Sequence, residues 1–245
     1  MVSASLRQPG LPPPRTIEWV PVPVAPANYA ALFDALPLGR YLVNSLVVVG
    51  LAVPITIVVS SMAGFAMAQL ERRSRVRLVI LSVALLMVPI TALWLTRFLL
   101  FRWVGLVDSL MALVVPAFMG SSPLFVLLFY WTFRRVPAAL IELARIDGAG
   151  PLTAWRRIAM PLAVPTIVAV AILAFLLYWS DFIDPLLNLK SQDLYTLPLG
   201  LRQLQQLDPD QWPLLMAGAV LLSVPAIAVF LVLQRRFLGE QRLGG

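Results

Sequence analysis

Residues 134–165 read RRVPAALIELARIDGAGPLTAWRRIAMPLAVP and form a polar stretch between two long apolar segments. Pro137 can occupy the first turn of a helix, where a backbone N–H would have no intrahelical partner. Residues 138–146 then have good helix propensity, and Gly148 can adopt the left-handed conformation that ends a helix. Pro151 permits a second helix to begin. The stretch therefore predicts two short helices joined by a tight turn.

The first of these helices is apolar around most of its circumference. At about 100° per residue, Glu142 and Arg145 share the narrow arc that is left free. The rest is covered by the apolar side chains of Leu140, Ile141, Leu143, Ala144 and Ile146. A helix with this pattern should not lie bare in water. We expect it either to enter a groove of a partner, presenting one carboxylate at a fixed place, or to lie on a membrane surface.

The composition is that of a membrane protein. Of the 245 residues, 60% are hydrophobic and 13% are charged, whereas soluble domains have about 25% charged residues. The net charge of +7 is carried almost entirely by arginines at the ends of apolar segments, which does not predict nucleic-acid binding. The sequence has no Cys and no His, which excludes disulfides, thiolate zinc sites and histidine-based catalysis. No metal site and no cofactor are predicted.

Apolar segments long enough to cross a bilayer predict an all-α polytopic membrane protein with five transmembrane helices. The first segment carries small residues that let helices approach closely in lipid, and Asn44 and Ser45 are expected to cap its start. The third is interrupted at residues 120–123, which predicts a kinked or broken helix. The predicted spans are residues 41–70, 78–95, 110–133, 162–187 and 212–233.

Orientation follows from the distribution of positive charge. If residues 71–77, 134–161 and the C-terminal residues from 234 onwards lie in the cytoplasm, twelve of the 19 Lys and Arg residues are cytoplasmic and seven are outside. The proline-rich segment 1–40 and the polar loop 188–211 are then extracytoplasmic, and the tail 238–245 is cytoplasmic. Residues 41–237 form the membrane domain. We expect segment 1–40 to be extended and to pack across the helices, with Trp19, Tyr29 and Phe33 docking.

Enzymatic function is not predicted. A Walker A loop needs a lysine that reaches the phosphates, but Lys190 is the only lysine and no glycine loop precedes it. Gly148 and Gly150 alone are a weak signal for a phosphate loop, because no strand precedes them. Membrane phosphatidyltransferases need several spaced acidic residues, which Asp147 and its neighbours do not supply. No catalytic residue is therefore assigned.

Residues 142–148 (ELARIDG), followed after nine residues by Ile158, Ala159, Met160 and Pro161, resemble a known motif. It is the E-A-A-x-x-x-G motif, with I-x-L-P nine residues later, of membrane subunits of binding-protein-dependent ABC importers. Leu143 and Met160 depart from it, and both are apolar. The stretches 41–45, 178–182, 194–201 and 212–219 also look like the carbohydrate-uptake branch of that family, and within it the chain is similar to the maltose-transporter G-type permease.

The resemblance implies that the stretch 134–161 is a cytoplasmic helix–turn–helix coupling loop, which docks on a cytoplasmic dimer of ABC ATPases. ATP-driven closure of that dimer would drive alternating access. The further partners implied are a second permease subunit, an extracytoplasmic solute-binding protein and a sugar substrate, in a bacterial or archaeal cytoplasmic membrane. The ATPase activity is expected in separate subunits. The implied coupling residues are Glu142, Ala144, Asp147, Gly148, Ala149 and Pro161.

Two other groups of residues are candidates for function. Trp179, Asp181 and Asp184 near the outer end of the fourth span are expected to line the translocation path, because intramembrane carboxylates are costly and usually functional. Alternatively, the two carboxylates only anchor the helix end at the water boundary. Relatives usually have Asn and Trp at positions 180 and 184, so this site differs. In the loop 188–211, the candidates for contact with the binding protein are Tyr195, Thr196, Leu197 and Pro198; an ordinary hairpin loop is the alternative.

Members of this family usually have six spans, and the helix that precedes the proline-rich segment is absent here. We expect five spans and an external N-terminus, through either a late recorded start or genuine shortening. A permease for a polyol, glycerol phosphate or oligopeptide remains an alternative, as does a membrane scaffold or a secondary carrier without an ATPase. A secondary carrier commonly shows an inverted repeat, and none is evident.

Overall fold

A computed structural model describes residues 1–10, 19–204 and 211–241, and over these residues the chain forms helices and turns without a strand. The predicted all-α class is confirmed. The helices are α1 Val2–Ser5, α2 Ala27–Ala35, α3 Leu38–Gln69, α4 Arg72–Leu86, α5 Ile90–Trp103, α6 Met111–Val114, α7 Pro123–Phe133, α8 Ala138–Ile146, α9 Pro151–Ala154, α10 Met160–Leu162, α11 Val164–Trp179, α12 Ile183–Asn188, α13 Leu197–Arg202 and α14 Trp212–Gln241.

Three helical segments are long and apolar enough to cross a membrane: Leu38–Gln69, Met111–Phe133 and Trp212–Val232. Two bent pairs raise the number to five if each is one span: Arg72–Leu86 with Ile90–Trp103, bent by 91°, and Pro151–Leu162 with Val164–Trp179, bent by 84°. The number of spans among the described residues is therefore three to five.

The predicted bounds of spans two and four need correction. Span two, predicted as one helix over 78–95, is broken at Pro89, whose extended backbone (φ −65°, ψ 129°) separates α4 from α5. A proline has no N–H to continue the helical ladder, so the chain changes direction there. Span four, predicted over 162–187, consists of α11 and the separate short helix α12, with a break after Trp179.

Helix α3 is the centre of the fold and packs most extensively against α7. Gly64 of α3 is buried at this contact, and Ser60 and Ser61 are buried in the same part of the helix. A Cβ atom added at Gly64 would lie 2.8 Å from the Cβ of Phe129 and 2.8 Å from the backbone N of Tyr130. The expected close approach through small residues is confirmed.

The N-terminal segment differs from the extended chain that was expected. Helices α1 and α2 both pack against α14, and the side-chain amide of Asn28 joins them by donating to the carbonyl oxygens of Ser5 (2.8 Å) and Arg7 (2.7 Å). Tyr29 docks through a 2.8 Å hydrogen bond with Ser5, whereas Trp19 and Phe33 are exposed. Residues 11–18 of this segment lie outside the described residues.

The polar loop 188–211 is also more structured than expected, because α13 packs against α3 and α14. The side chain of Asn44 donates to the carbonyl oxygens of Asp193 (2.8 Å) and Tyr195 (3.0 Å), and the Ser45 hydroxyl accepts from the N–H of Leu197 (2.8 Å). The expectation that Asn44 and Ser45 cap a helix is wrong, since both lie inside α3 and hold this loop. Residues 205–210 of the loop, and 242–245 of the predicted tail, lie outside the described residues.

The contact at Gly64 gives a direct test of packing. We expect Gly64→Ala to destabilise the protein by about 1–3 kcal/mol, since α3 and α7 must separate to accept the methyl group. The measurement is thermal unfolding of the purified protein in detergent. Gly50→Ala in the same helix is the control, because nothing lies within 4 Å of a Cβ added there. Equal unfolding temperatures for the two variants would contradict the role of this contact.

Candidate functional site

A cavity of about 340 Å³ lies beside the break between α11 and α12. This volume is at the lower end of the range of small-molecule sites, about 300–1,000 Å³. The walls come from α5, the segment 116–121, the end of α11 and the start of α12. The lining residues are Ile90, Trp94, Arg97, Pro116, Ser121, Leu177, Tyr178, Ser180, Asp181, Phe182, Ile183 and Asp184.

Two of the predicted path residues, Asp181 and Asp184, meet in this cavity. The Oδ1 atom of Asp181 accepts a 3.3 Å hydrogen bond from the backbone N–H of Asp184. The carboxylate of Asp184 forms an ion pair with the guanidinium of Arg97 in α5. The side chains of this pair are 22% (Arg97) and 17% (Asp184) exposed, so the pair is largely removed from water. Arg97 was not among the predicted site residues, because 87 positions separate it from its partner in the sequence.

The third predicted path residue, Trp179, lies elsewhere. Its side chain is 2% exposed, its indole N–H donates to the carbonyl oxygen of Leu222 (2.8 Å), and its ring stacks on Phe175 with 5.5 Å between centroids. Trp179 therefore packs α11 against α14 and does not line the cavity. The aromatic side chains beside the carboxylates are Trp94, Tyr178 and Phe182.

A chain of hydroxyl groups connects the cavity wall to the core of α3. The Ser121 hydroxyl lies 2.7 Å from the Tyr178 hydroxyl and 2.5 Å from that of Thr56. Gly120 and Ser121 both have left-handed backbones, with φ of 77° and 58°, and they separate α7 from the preceding helical turns. The interruption predicted at residues 120–123 is confirmed, and its Ser121 side chain contributes to the cavity.

The predicted contacts for a binding protein are mostly covered by this chain. Thr196 and Leu197 are 4% and 3% exposed, so the prediction that they contact another protein is corrected. Tyr195 and Pro198 are half-buried, and the Tyr195 ring lies 6.2 Å from that of Tyr41. Among the described residues of the loop, the run 190–193 is exposed, as is Arg202.

This exposed surface is held by Asp108, which the sequence analysis did not single out. Its carboxylate accepts from the Ser191 hydroxyl (2.6 Å) and from the N–H groups of Ser191 and Lys190 (2.9 Å each). These hydrogen bonds, that of the Ser191 hydroxyl foremost, hold the pKa of Asp108 below its usual value. The stabilisation is present above the ordinary carboxyl pKa and is lost only as the pH falls through the lowered value.

The segment 134–161, which is the predicted coupling loop, has the predicted helix and turn at its centre. Helix α8 covers Ala138–Ile146, and Gly148 has φ of 81°. The N–H of Gly148 donates to the carbonyl oxygen of Arg145 (3.0 Å), and the N–H of Ala149 donates to the carbonyl oxygen of Ala144 (2.8 Å). These two bonds form a Schellman motif, which satisfies the last carbonyl groups of α8. The turn then leads directly into α9 at Pro151.

Helix α8 packs against the rest of the described protein through one face only. Ile141 is buried in the cluster that contains Phe65 and Phe133, and the Arg145 guanidinium donates to the Gln69 side chain at 3.1 Å. The opposite side is bare: Leu140 is 43% exposed, Leu143 58% and Ile146 81%. Of the other predicted coupling residues, Glu142, Asp147 and Pro161 are exposed and Ala144 and Ala149 are half-buried.

Comparison with known proteins agrees with this architecture. Residues 29–239 match the family described as binding-protein-dependent transport system inner membrane component. The chain belongs to this family. It is a multi-pass membrane permease of the binding-protein-dependent ABC importer type.

Among similar curated proteins, the permease is 30% identical to the sulfoquinovosyl glycerol transport system permease protein SmoH of Agrobacterium fabrum, over 94% of this chain and 81% of that protein. It is 33% identical to the arabinooligosaccharides transport system permease protein AraQ of Halalkalibacterium halodurans, over 82% of this chain and 72% of that one. A chain of a bacterial ABC transporter involved in the import of alginate, an acidic polysaccharide, has the same fold, with a TM-score of 0.78 and 19% identity over 96% of the permease and 88% of that chain.

The Arg97–Asp184 pair provides a second test of the structure. We expect Arg97→Gln to destabilise the permease by about 2–3 kcal/mol, because it leaves the Asp184 charge largely buried without its partner. The double variant Arg97→Gln/Asp184→Asn should recover most of this loss, since neither charge remains. Thermal unfolding in detergent measures both effects. Additive losses in the double variant would show that the two side chains do not interact.

Proposed function

We propose that the permease forms half of the translocation path of an importer for a sugar or oligosaccharide. Its partners are a second permease subunit, a cytoplasmic dimer of ABC ATPases and an extracytoplasmic solute-binding protein. The substrate class is supported by the relatives, whose names refer to sulfoquinovosyl glycerol and arabinooligosaccharides. The main support for ATPase coupling is the bare apolar side of α8 beside the exposed carboxylate of Glu142.

The attachment of α8 suits the transmission of force. Ile141 and Arg145 hold one side of the helix, while Leu140, Leu143 and Ile146 are available to a groove of an ATPase subunit. Burial of such side chains stabilises the contact by about 25 cal/mol per Å² of apolar area. Glu142, among the described residues, forms no ion pair within the chain and would pair with a basic residue of the ATPase. The remaining proposed coupling residues form the turn after α8 and the segment that follows it. They are Ala144, Asp147, Gly148, Ala149 and Pro161.

A continuous path connects this contact to the cavity. The Schellman turn fixes α8 relative to the helical segment Pro151–Leu162, which meets α11 at an angle of 84°. Ala163, which lies between these two helical segments, is fully buried. Its N–H donates to the carbonyl oxygens of Ala159 (3.1 Å) and Met160 (3.0 Å). The far end of α11 carries Tyr178, and Asp181 follows. Movement of α8 would thus change the cavity walls, as alternating access requires.

The proposed orientation follows the positive charge. Segment 134–161 and the tail 238–245 lie in the cytoplasm, and segment 1–40 and loop 188–211 lie outside, in a bacterial or archaeal cytoplasmic membrane. The binding protein would contact the exposed residues 190–193 with Tyr195 and Pro198 at their edge. The solute would pass the cavity bounded by Asp181, Asp184 and the aromatic rings of Trp94 and Tyr178.

Charge reversal at α8 tests the coupling. We expect Glu142→Lys to reduce copurification of the ATPase by about tenfold, because a favourable charge contact becomes a repulsive one. The measurement is the ratio of ATPase to permease after affinity purification of the tagged permease. Glu71→Lys is the matched control, since Glu71 is an exposed carboxylate at the proposed cytoplasmic end of α3. Equal retention of the ATPase by both variants would refute the assigned role of Glu142.

Reconstitution tests the whole proposal. Vesicles that contain both permeases and the ATPase should take up a sugar only when ATP and the binding protein are supplied on their proper sides. Uptake without any ATPase would instead identify a carrier, and absence of ATP-driven sugar uptake in an assembled complex would exclude the proposed substrate class.

A further inference from the structure

One basic and two carboxylic acid side chains line the cavity beside the α11–α12 break, so acidic groups outnumber basic ones by two to one. Arg97 comes from α5, and Asp181 and Asp184 come from the start of α12 and the residues before it. The lining residues contributed by α11 and by the segment 116–121 carry no charge. Since Arg97 and Asp184 neutralise each other as an ion pair, Asp181 is the remaining carboxyl side chain of the lining, and in its ionised form it supplies the surplus negative charge.

The rest of the cavity wall increases the influence of that charge. Ile90, Trp94, Pro116 and Leu177 present apolar surface, and the Tyr178 hydroxyl is already engaged by Ser121. Walls of low polarity focus the field of a charge into a cleft and change the local concentration of ions there. Asp181 accepts the long hydrogen bond (3.3 Å) from the Asp184 N–H through Oδ1, and its carboxylate can accept a further one from a hydroxyl or ammonium group.

We infer that this cavity is a charge-selective subsite, in which Asp181 favours neutral or amine-bearing sugars and disfavours sugars that carry a carboxylate or sulfonate. This inference rests on the proposed function and specifies the substrate class. A neutral ring can donate a hydroxyl to Asp181 and stack on Trp94, whereas an anionic ring meets a like charge without a free cation. Arg97 cannot serve an anionic sugar unless its pair with Asp184 opens.

The absence of cysteine from the sequence makes the local charge measurable without knowing the solute. In the assembled transporter in lipid nanodiscs, Leu177→Cys places a thiol on the cavity wall, and Gln192→Cys places one on the exposed outer loop. Each is reacted with a methanethiosulfonate carrying trimethylammonium and with one carrying sulfonate, and labelling of this chain is followed by mass spectrometry. We expect the ratio of cationic to anionic rates to be about fivefold or more higher at position 177 than at position 192.

Two further variants identify the source of the selectivity. Asp181→Asn in the Leu177→Cys background should bring the ratio down to that of the control position. The double variant Arg97→Gln/Asp184→Asn should leave the ratio high, because it removes one charge of each sign. Normal elution in gel filtration checks that each variant is assembled. If a variant does not assemble, the ratio of cationic to anionic labelling rates for the single Leu177→Cys substitution still decides whether the cavity is charge-selective.

The outcomes separate this inference from the proposed function. A ratio at position 177 no higher than that at position 192, or a high ratio that Asp181→Asn leaves unchanged, overturns the charge-selective subsite. Neither result bears on ATP-driven uptake, which the reconstitution measures. Conversely, a transporter that moves no sugar would refute the proposed function while leaving the measured charge of the cavity as it is.

Discussion

The close contact of α3 with α7 is the constraint on which the rest of the structure depends. At Gly64 the two backbones are too close for even a methyl group. In lipid, where burial of apolar groups gives no advantage over the solvent, such close packing is a principal source of helix association. It brings Thr56 within reach of Ser121, so that the broken segment beside α7 finds hydrogen-bond partners in α3. Backbone irregularity at this depth requires such partners.

The same arrangement links the proposed coupling segment to the cavity. The cluster around Phe65 and Phe133 holds Ile141 of α8, and α11 leads from the coupling segment to the cavity. Each region has a rigid attachment and an open side. The exposed side of α8 is apolar and carries one carboxylate. The wall of the cavity is lined by aromatic rings and carries two carboxylates and one guanidinium. A motion imposed on the first would therefore reach the second through packed helices.

Sequence reasoning succeeded where structure is local. The helix Ala138–Ile146, the positive φ of Gly148 and the break at residues 120–123 all depend on residues within one or two turns of each other. It also grouped Asp181 with Asp184, three positions apart. The assignment of Trp179 to the path was wrong, because an aromatic residue at the end of an apolar span can equally pack in the core. Burial of Leu197 was missed because it depends on the packing of α13 against α3 and α14, which are distant in the chain.

Long-range partners could not be read from the chain. Nothing in the local sequence shows that Arg97 pairs with Asp184 or that Asn44 holds the carbonyl groups of Asp193 and Tyr195. An amide inside an apolar helix does signal a partner, since a buried polar group must be satisfied, but the signal does not name it. The bend at Pro89 was similarly ambiguous, because proline is tolerated inside membrane helices when neighbours compensate.

The clamp formed by Asn28, Ser5 and Arg7 has a consequence for biogenesis. It joins α1 to α2, and both helices pack against α14, although about two hundred residues separate them from it in the chain. A ribosome makes α1 and α2 well before α14, so the early segment must remain outside its final contacts until the last helix has entered the bilayer. The contact of α1 and α2 with α14 therefore forms only after α14 has been synthesised.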